Sequence, residues 1–342
     1  MTPPARPPAS KNVSRKRLLA ILLGLAISVG FTTLLIRGLD LGRVAEEIAG
    51  VNLKILPFCL LTSLAGFLAM SARSAVLLRP LHPFPPFRLF KSVLVAFSGN
   101  NVLPLRIGEL MRVDYLARHG RCSHSAVLAV LAVERLLDLS CLVLLFFALL
   151  PLAVVEMPGA SAPALAGSVV LVALGGLLWV ARDGERFVRW TRWLTAWLGE
   201  RLSGWLAEQV ERFAEGLGAL KSPGRFFAAI GCSWLYWLAS ASGLGLMMLA
   251  FDLELPWYAP AVVLVFITFG VVLPSAPAFI GTYHYFAMLA LTLMGVSEEQ
   301  GASYAIVVHA VGIVPFTLIG ILLLSGEILR GELRFGRGAT SQ

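Results

Sequence analysis

Long apolar runs alternate with short polar segments along most of this chain. A helix needs about 20 apolar residues to cross the hydrocarbon of a bilayer. Six stretches meet this requirement and predict full crossings: roughly 18–36, 55–78, 126–150, 162–181, 226–250 and 302–325. Two further apolar segments, 88–118 and 257–294, are interrupted by proline, glycine and polar residues.

The two interrupted segments share a pattern. The first reads Asn100-Asn101-Val102-Leu103-Pro104-Leu105-Arg106-Ile107-Gly108-Glu109-Leu110, and the second reads Val272-Leu273-Pro274-Ser275-Ala276-Pro277-Ala278-Phe279-Ile280-Gly281-Thr282-Tyr283-His284. Both place Val-Leu-Pro before Ile-Gly and then polar groups. Proline and glycine interrupt a helix, and lipid cannot satisfy the backbone groups that such a break frees. Paired breaks in two halves of a membrane protein point to a substrate site between broken helices.

The distribution of charge predicts how these segments are oriented. Lys and Arg cluster before the first span, on both sides of 88–118, from 182 to 225 and near the C-terminus, whereas the other connections are acidic or poor in cations. The cation-rich connections are expected in the cytoplasm, together with both termini. Segment 88–118 then enters from the cytoplasm, and segment 257–294 dips in from the outside.

These orientations predict an all-α polytopic membrane protein with about six full spans plus two oppositely inserted re-entrant helical hairpins in an inverted repeat. The repeats cover 18–150 and 151–325, between a disordered cytoplasmic tail, 1–17, and a second cytoplasmic tail, 326–342. We expect a multi-pass membrane protein.

Composition supports the membrane assignment. The 342 residues are 58% hydrophobic and 14% charged, with a mean hydropathy of +0.81, whereas soluble domains are about half apolar and about a quarter charged. The net charge of +8 would also suit a nucleic-acid partner, but the charges lie in short loops between apolar spans. They are better explained by orientation and attraction to anionic lipid. We therefore expect membrane lipids, and no nucleic acid, as partners. The sequence does not decide between a monomer and a homo-oligomer.

Segment 185–220 has the pattern of one or two amphipathic helices. Aromatic and aliphatic residues recur at helical spacing, and Arg and Glu fill the other positions. This pattern predicts a helix on the inner leaflet. The alternative is a docking surface for a partner, such as a lipid-synthesis enzyme.

The first broken segment carries a candidate anion site. Proline suits the first turn of a helix, so Pro104 predicts the start of the second arm, whose free N–H groups would point into the membrane. Arg106 lies beside them and favours an anion. The alternative is an i,i+3 ion pair between Arg106 and Glu109. Asn101, Gly108 and Arg112 complete this set of candidates.

The second broken segment repeats this arrangement from the opposite face. Its candidates are Pro274, Ser275, Pro277, Gly281, Thr282, Tyr283 and His284, with His309 of the last span expected to face them. The two histidines suggest proton coupling or phosphate contact, against the alternative of packed core residues.

Charged residues within the spans are costly and therefore point to function or to structural ion pairs. Arg73, late in the second span, is a candidate for the lipid site or a side chain that snorkels to the interface. In the third span, Glu134, Arg135 and Asp138 have the spacing of an ion-pair network that would brace the first broken segment. A proton or cation site is the alternative.

Catalytic motifs are lacking: the sequence has no Walker loop, no His-Glu-x-x-His, no Gly-x-Ser-x-Gly and no cluster of metal ligands. We therefore predict no catalytic residue, no metal and no cofactor, and a transporter in preference to an enzyme.

Three blocks of sequence resemble a known family. They are Asn101-Val-Leu-Pro104-x-Arg106-x-Gly108-Glu109-x-x-Arg112-x-x-Tyr115-Leu116, then Glu134-Arg135-x-x-Asp138-Leu139, then Pro274-Ser-x-Pro277 followed by Gly281-Thr282. This pattern resembles the flippase-like membrane region of lysylphosphatidylglycerol synthases, whose stand-alone members include proteins linked to hopanoid metabolism. Ala278 departs from it, because many relatives have Gly there.

The resemblance implies two oppositely inserted re-entrant segments around a central lipid cavity, and lipid translocation as the activity. It places Arg106, Glu109 and Arg112 near the cavity and Pro274, Ser275, Gly281 and Thr282 on the opposite hairpin. In the two-part synthases a separate soluble domain performs aminoacyl transfer, and no such domain is expected here.

The leading hypothesis is therefore a flippase of a bacterial cell (inner) membrane for an anionic or zwitterionic lipid: a phospholipid, an aminoacyl-phospholipid or a polyprenyl-phosphate lipid. The alternatives are an intramembrane lipid-modifying transferase using Glu109, His284 or His309, and a non-catalytic partner of a lipid (for example hopanoid) biosynthesis complex.

Overall fold

A computed structural model describes residues 15–149, 168, 171–172, 175–176 and 179–329. This part of the chain is helical and contains no strand. The α-helices whose bounds the structure gives are α1 (Arg15–Ile36), α2 (Leu41–Ala49), α3 (Leu56–Leu78), α4 (Pro86–Val102), α5 (Ile107–Gly120), α6 (His124–Leu149), α7 (Gly184–Thr195), α8 (Glu200–Gly216), α9 (Pro223–Ala250), α10 (Ala259–Val272), α11 (Thr282–Thr292) and α12 (Glu298–Leu329). The predicted all-α class is confirmed.

Three described helices, α3, α9 and α12, are long and apolar enough to cross a membrane. A fourth candidate is α1 together with α2, which meet at an angle of 86° and form either one broken span or a re-entrant loop. Helix α6 has 26 residues, the length of a span, but it carries Glu134, Arg135 and Asp138. Three of the six predicted spans are thus confirmed by length and composition. Helix α2 was not predicted from the sequence.

Both broken segments fold into helical hairpins, and proline explains where each first arm ends. A residue that precedes proline is pushed out of the helical region into an extended conformation. Leu103, before Pro104, has φ −101° and ψ 143°, and Leu273, before Pro274, has φ −64° and ψ 140°. Helices α4 and α10 therefore end one residue earlier, and the chain turns back into α5 and α11, each of which packs on its partner arm.

Contacts in the first half of the chain recur in the second half. Helix α3 packs on α4 as α9 packs on α10, and α5 packs on α6 as α11 packs on α12. The first hairpin also contacts α12 of the second half, and the second hairpin contacts α6 of the first half. The long helices α3 and α9 pack along each other at the centre.

The amphipathic segment 185–220 forms two helices, α7 and α8, which pack on each other. Helix α8 also packs on α6. Large apolar side chains stay exposed along this pair; Trp193 is 77% exposed and Trp197 is 81% exposed. The prediction of one or two amphipathic helices is confirmed as two.

Some predicted features lie wholly or mainly outside the described residues. They are the disordered tail 1–17, the tail 326–342, most of the span at 162–181 and the boundary between the repeats at 150–151.

Candidate functional site

The tips of the two hairpins meet, and Arg106 joins them. Its guanidinium group donates a hydrogen bond to the carbonyl oxygen of Val271, in the last turn of α10. Its central carbon also lies 5.2 Å from the centre of the Phe279 ring. One cation of the first hairpin therefore binds both sides of the break in the second hairpin, at the negative end of the α10 dipole.

Both tips contain residues with a left-handed backbone. Arg106 has φ 53°, and in the second hairpin Ala278 has φ 56° and Phe279 has φ 58°. This region favours glycine, because a Cβ atom crowds the following carbonyl group there. Non-glycine residues in such conformations cluster at functional sites, and these three lie at the tips.

The arms of the first hairpin cross at two glycines. A Cβ atom added to Gly108 would lie 2.0 Å from the carbonyl oxygen of Ala96, and one added to Gly99 would lie 2.7 Å from the Cα of Gly108. No larger residue fits without separating α4 from α5. Gly108 therefore sets the close approach of the two arms just beyond the tip.

Helix α1 closes the second tip from one side. The Oγ of Ser28 accepts a hydrogen bond of 2.6 Å from the N–H of Ala276. Gly24 and Gly281 permit this contact, because a Cβ at Gly24 would lie 3.1 Å from the Ser275 carbonyl oxygen and one at Gly281 would lie 2.5 Å from that of Ser28. One polar side chain in the apolar helix α1 thus satisfies a backbone group of the break.

Helix α12 holds the other side of both hairpins. Asn101 donates a 2.8 Å hydrogen bond to the hydroxyl of Thr317. In the second hairpin, His309 Nε2 lies 2.8 Å from the carbonyl oxygen of Ala278. The rings of His284 and Tyr283 lie against His309, at centroid distances of 4.4 and 4.6 Å. The structure thus brings the predicted His309 to the break together with its two predicted neighbours.

A buried ion-pair network lies behind the first hairpin. Arg73 of α3 makes a two-pronged ion pair with Asp138 of α6, and it also donates a 2.9 Å hydrogen bond to Ser233 of α9. Arg112 of α5 pairs with Glu134 of α6 at 2.8 Å. The side chains of both arginines are at most 1% exposed. The network therefore joins α5 to the long helices. Arg73 is buried and does not snorkel to the membrane interface, so that alternative is wrong.

The network continues outward through weaker pairs. Arg135 Nη1 lies 3.5 Å from Asp138, as the i,i+3 spacing predicted, and Nη2 lies 3.7 Å from Glu109. Glu109 therefore pairs with α6, and within the described residues it forms no ion pair with Arg106. The alternative prediction, an i,i+3 ion pair between Arg106 and Glu109, is therefore wrong.

Counting these charges leaves one cation uncompensated. Arg73, Arg106, Arg112 and Arg135 are four positive groups, and Glu109, Glu134 and Asp138 are three negative ones, so one positive charge remains. In the part of the chain that the structure describes, Arg106 is the member without an ion pair, and it is exposed. Its guanidinium group is close enough to Arg135 and Glu109 to interact electrostatically with both.

The predicted residues therefore divide into two groups. The tip group contains Asn101, Pro104, Arg106, Gly108, Pro274, Ser275, Pro277, Gly281, Thr282, Tyr283, His284 and His309, and the ion-pair network contains Arg73, Glu109, Arg112, Glu134, Arg135 and Asp138. Arg73 and Arg112, predicted as lipid contacts, lie in the buried network. Among the described residues, no group of three His, Cys, Asp or Glu side chains is placed to bind a metal.

The small polar partners of these two groups were not predicted from the sequence. Ser28 and Thr317 bind the tips, and Ser74, Ser92 and Ser233 bind the arginines of the network. Each lies in an apolar run, where a lone hydroxyl often bonds to its own helix. Only its neighbours in the fold reveal another role.

Two cavities in the described part of the chain lie away from the tips. One of about 540 Å³ lies where α2 meets the end of α9 and is lined by Glu46, Glu47 and Asp252 among others. The other, of about 440 Å³, lies at the start of α8 beside Leu198 and Trp205. The hairpin tips themselves touch where Arg106 meets Val271.

Comparison with known proteins gives one family. The model of the lysylphosphatidylglycerol synthase TM region matches residues 21–320, which include both hairpins and the network. A comparison with curated proteins returned no match.

Proposed function

The chain belongs to the lysylphosphatidylglycerol synthase TM-region family, and from that premise we propose that it is a flippase for a lipid with an anionic or zwitterionic head group. The protein is a multi-pass membrane protein by family and by its apolar helices. The site of action is the bacterial inner membrane, with both termini in the cytoplasm. The observation that carries the proposal is the exposed, uncompensated Arg106 between the two hairpin tips.

An anionic head group binds where it finds a cation and free backbone donors. Arg106 stands at the N-terminus of α5, and no side chain caps this end of the helix. The first N–H groups of α5 and the positive end of its dipole therefore add to the charge of Arg106. A phosphate group at this point replaces its hydration shell by a guanidinium group and backbone donors.

The lengths of the hairpin arms support re-entrant insertion. The four arms contain 17, 14, 14 and 11 residues, and at about 1.5 Å per residue none exceeds about 26 Å. The hydrocarbon core is about 30 Å thick. Arms of this length reach into the bilayer and return. The matching contacts of the two halves support an internal repeat, and the opposite charges of the hairpin flanks support insertion from opposite leaflets.

Head-group binding and movement of the hairpins are linked through one hydrogen bond. In the described conformation Arg106 donates to the Val271 carbonyl group and thereby ties the two tips together. A phosphate oxygen competes for the same donor, and a charged acceptor is the stronger one. Binding of the head group releases the second hairpin, and rocking of one repeat against the other then exposes the lipid to the opposite leaflet.

The test is transfer of a fluorescent phosphatidylglycerol between the leaflets of proteoliposomes. Arg106→Ala is expected to slow transfer by tenfold or more, because a hydrogen bond to a charged group contributes about 1.5–3 kcal/mol. The matched control is Arg118→Ala, since Arg118 lies on the same helix and pairs with Asp114 at its far end. Equal rates for wild type and Arg106→Ala would overturn the assigned role.

A second pair of variants separates head-group binding from packing at the tip. Arg106→Lys keeps the charge and is expected to retain more transfer than Arg106→Ala. Phe279→Leu removes the ring under the guanidinium group and keeps the cation, so transfer should persist. Loss of transfer in Phe279→Leu with full activity in Arg106→Ala would point to packing at the tip. Unchanged lipid mass after incubation distinguishes a flippase from a lipid-modifying enzyme.

A further inference from the structure

Two histidines bind backbone groups on either side of the break in the second hairpin, at Ala278 and Gly281. His309 of α12 meets the carbonyl oxygen of Ala278 at 2.8 Å. His284, in the first turn of α11, receives a hydrogen bond of 3.4 Å on its Nδ1 from the N–H of Gly281. The two rings are 4.4 Å apart between centroids. One helix-breaking turn is therefore held on both sides by groups that bind protons.

The partners of each histidine dictate where its protons are. A backbone carbonyl group only accepts, so His309 Nε2 must carry a hydrogen atom. A backbone N–H only donates, so His284 Nδ1 must be unprotonated and this ring must be neutral. Protonation of His309 on Nδ1 keeps its bond to Ala278. Protonation of His284 on Nδ1 removes the acceptor that Gly281 uses and sets one N–H against another.

We propose that His284 and His309 form a proton-binding site, and that protonation of His284 releases Gly281 and opens the second hairpin. The step adds one proton from water to a neutral imidazole and gives an imidazolium, and the hydrogen bond from Gly281 to Nδ1 is lost. The proton is thus the coupling ion of transport. This inference rests on the proposed flippase function and deepens it.

The groups around the pair decide how the proton is coupled to the lipid. Tyr283 contacts His309 from α11, and it interacts with the neighbouring phenols of Tyr236 in α9 and Tyr304 in α12. On the other side of the break, the cation of Arg106 stacks on Phe279. The positive charge of Arg106 disfavours a second positive charge on the histidines. An anionic head group bound to Arg106 neutralises that charge, so lipid binding favours protonation of the histidines.

The protonation state of the histidines can be measured without a transport assay. The ¹⁵N signals of the histidines are recorded in the full-length protein, in nanodiscs of phosphatidylcholine or of phosphatidylglycerol, between about pH 4 and about pH 8. His284→Asn and His309→Gln assign the signals. We expect Nδ1 of His284 to be unprotonated at the upper end, to gain a proton on acidification, and to gain it at higher pH in phosphatidylglycerol. An anionic membrane lowers the pH at its surface, so the shift of His284 must exceed the change in surface pH that a lipid-linked pH indicator reports in the same nanodiscs.

Transport supplies the second measurement. We expect lipid transfer by the wild type to rise as pH falls. His284→Asn keeps an acceptor for the Gly281 N–H but does not titrate, so its transfer should lose this pH dependence. His82→Asn, at a distance from the break, should retain it.

The outcomes separate this inference from the proposed function. An Nδ1 that stays unprotonated over the whole range in both nanodiscs, or a His284→Asn profile equal to that of the wild type, overturns the proton site while the flippase stands. Absence of lipid transfer at every pH overturns the flippase, and with it the role of the proton in transport. The histidine signals then still decide whether the pair binds a proton.

Discussion

At the scale of single residues, the burial of charge decides which side chains support the structure. Arg73, Arg112 and Glu134 are almost completely buried and pair with one another or with Asp138, whereas Arg135 and Glu109 are partly exposed and lie 3.7 Å apart. A buried ion pair is strongly destabilising when one partner is removed, because the other charge is left uncompensated. The same change at an exposed pair costs little.

Glu134→Gln is therefore expected to destabilise the protein by about 3–5 kcal/mol, since both buried arginines lose a carboxylate. Glu109→Gln makes the same chemical change at the partly exposed pair and should cost about 1 kcal/mol or less. Thermal unfolding of the purified variants in one detergent measures both. Equal stability of the two variants would show that Glu134 does not hold the network together.

At the scale of helices, the sequence predicted the breaks but not what holds them. Val-Leu-Pro and Ile-Gly mark the breaks because the influence of proline on its predecessor is local, and both first arms end at that point. The i,i+3 pair of Arg135 and Asp138 was also visible in the sequence. The contacts of Arg73 with Asp138, and of Ser28 with Ala276, join residues 65 and 248 positions apart. No local pattern encodes such pairs, so these partners appear only in the fold.

Gly108 offers a test of the first hairpin as a packed unit. Gly108→Ala places a Cβ atom 2.0 Å from the Ala96 carbonyl oxygen, so α4 and α5 must separate. We expect a loss of stability of about 1–3 kcal/mol, typical of overpacking, and slower lipid transfer. Gly231→Ala is the matched control in α9, where an added Cβ meets nothing within 4 Å. It should leave stability unchanged or raise it by up to about 1 kcal/mol. A lower melting temperature in Gly231→Ala alone would contradict the packing argument.

At the scale of the whole molecule, the charges that flank the two hairpins predict insertion from opposite sides of the membrane. The flanks of the first hairpin are rich in Lys and Arg, and the flanks of the second carry Asp252, Glu254, Glu298 and Glu299. Positive flanks stay in the cytoplasm, so each hairpin should have both ends on one side, and the two hairpins should use opposite sides. An ordinary crossing would place the two ends of one segment on different sides.

Single cysteines in a variant without native cysteines can measure this arrangement. Phe87→Cys and Arg121→Cys flank the first hairpin, and Trp257→Cys and Glu298→Cys flank the second, all at exposed positions. In intact cells a membrane-impermeant maleimide should label the second pair, and it should reach the first pair only after the membrane is opened. If Phe87→Cys and Arg121→Cys react from different sides, the segment between them is a full crossing. Arg106 would then lie on a continuous path through the membrane and not at the tip of a re-entrant hairpin, so the meeting of two opposed hairpins could no longer explain how a head group passes between the leaflets.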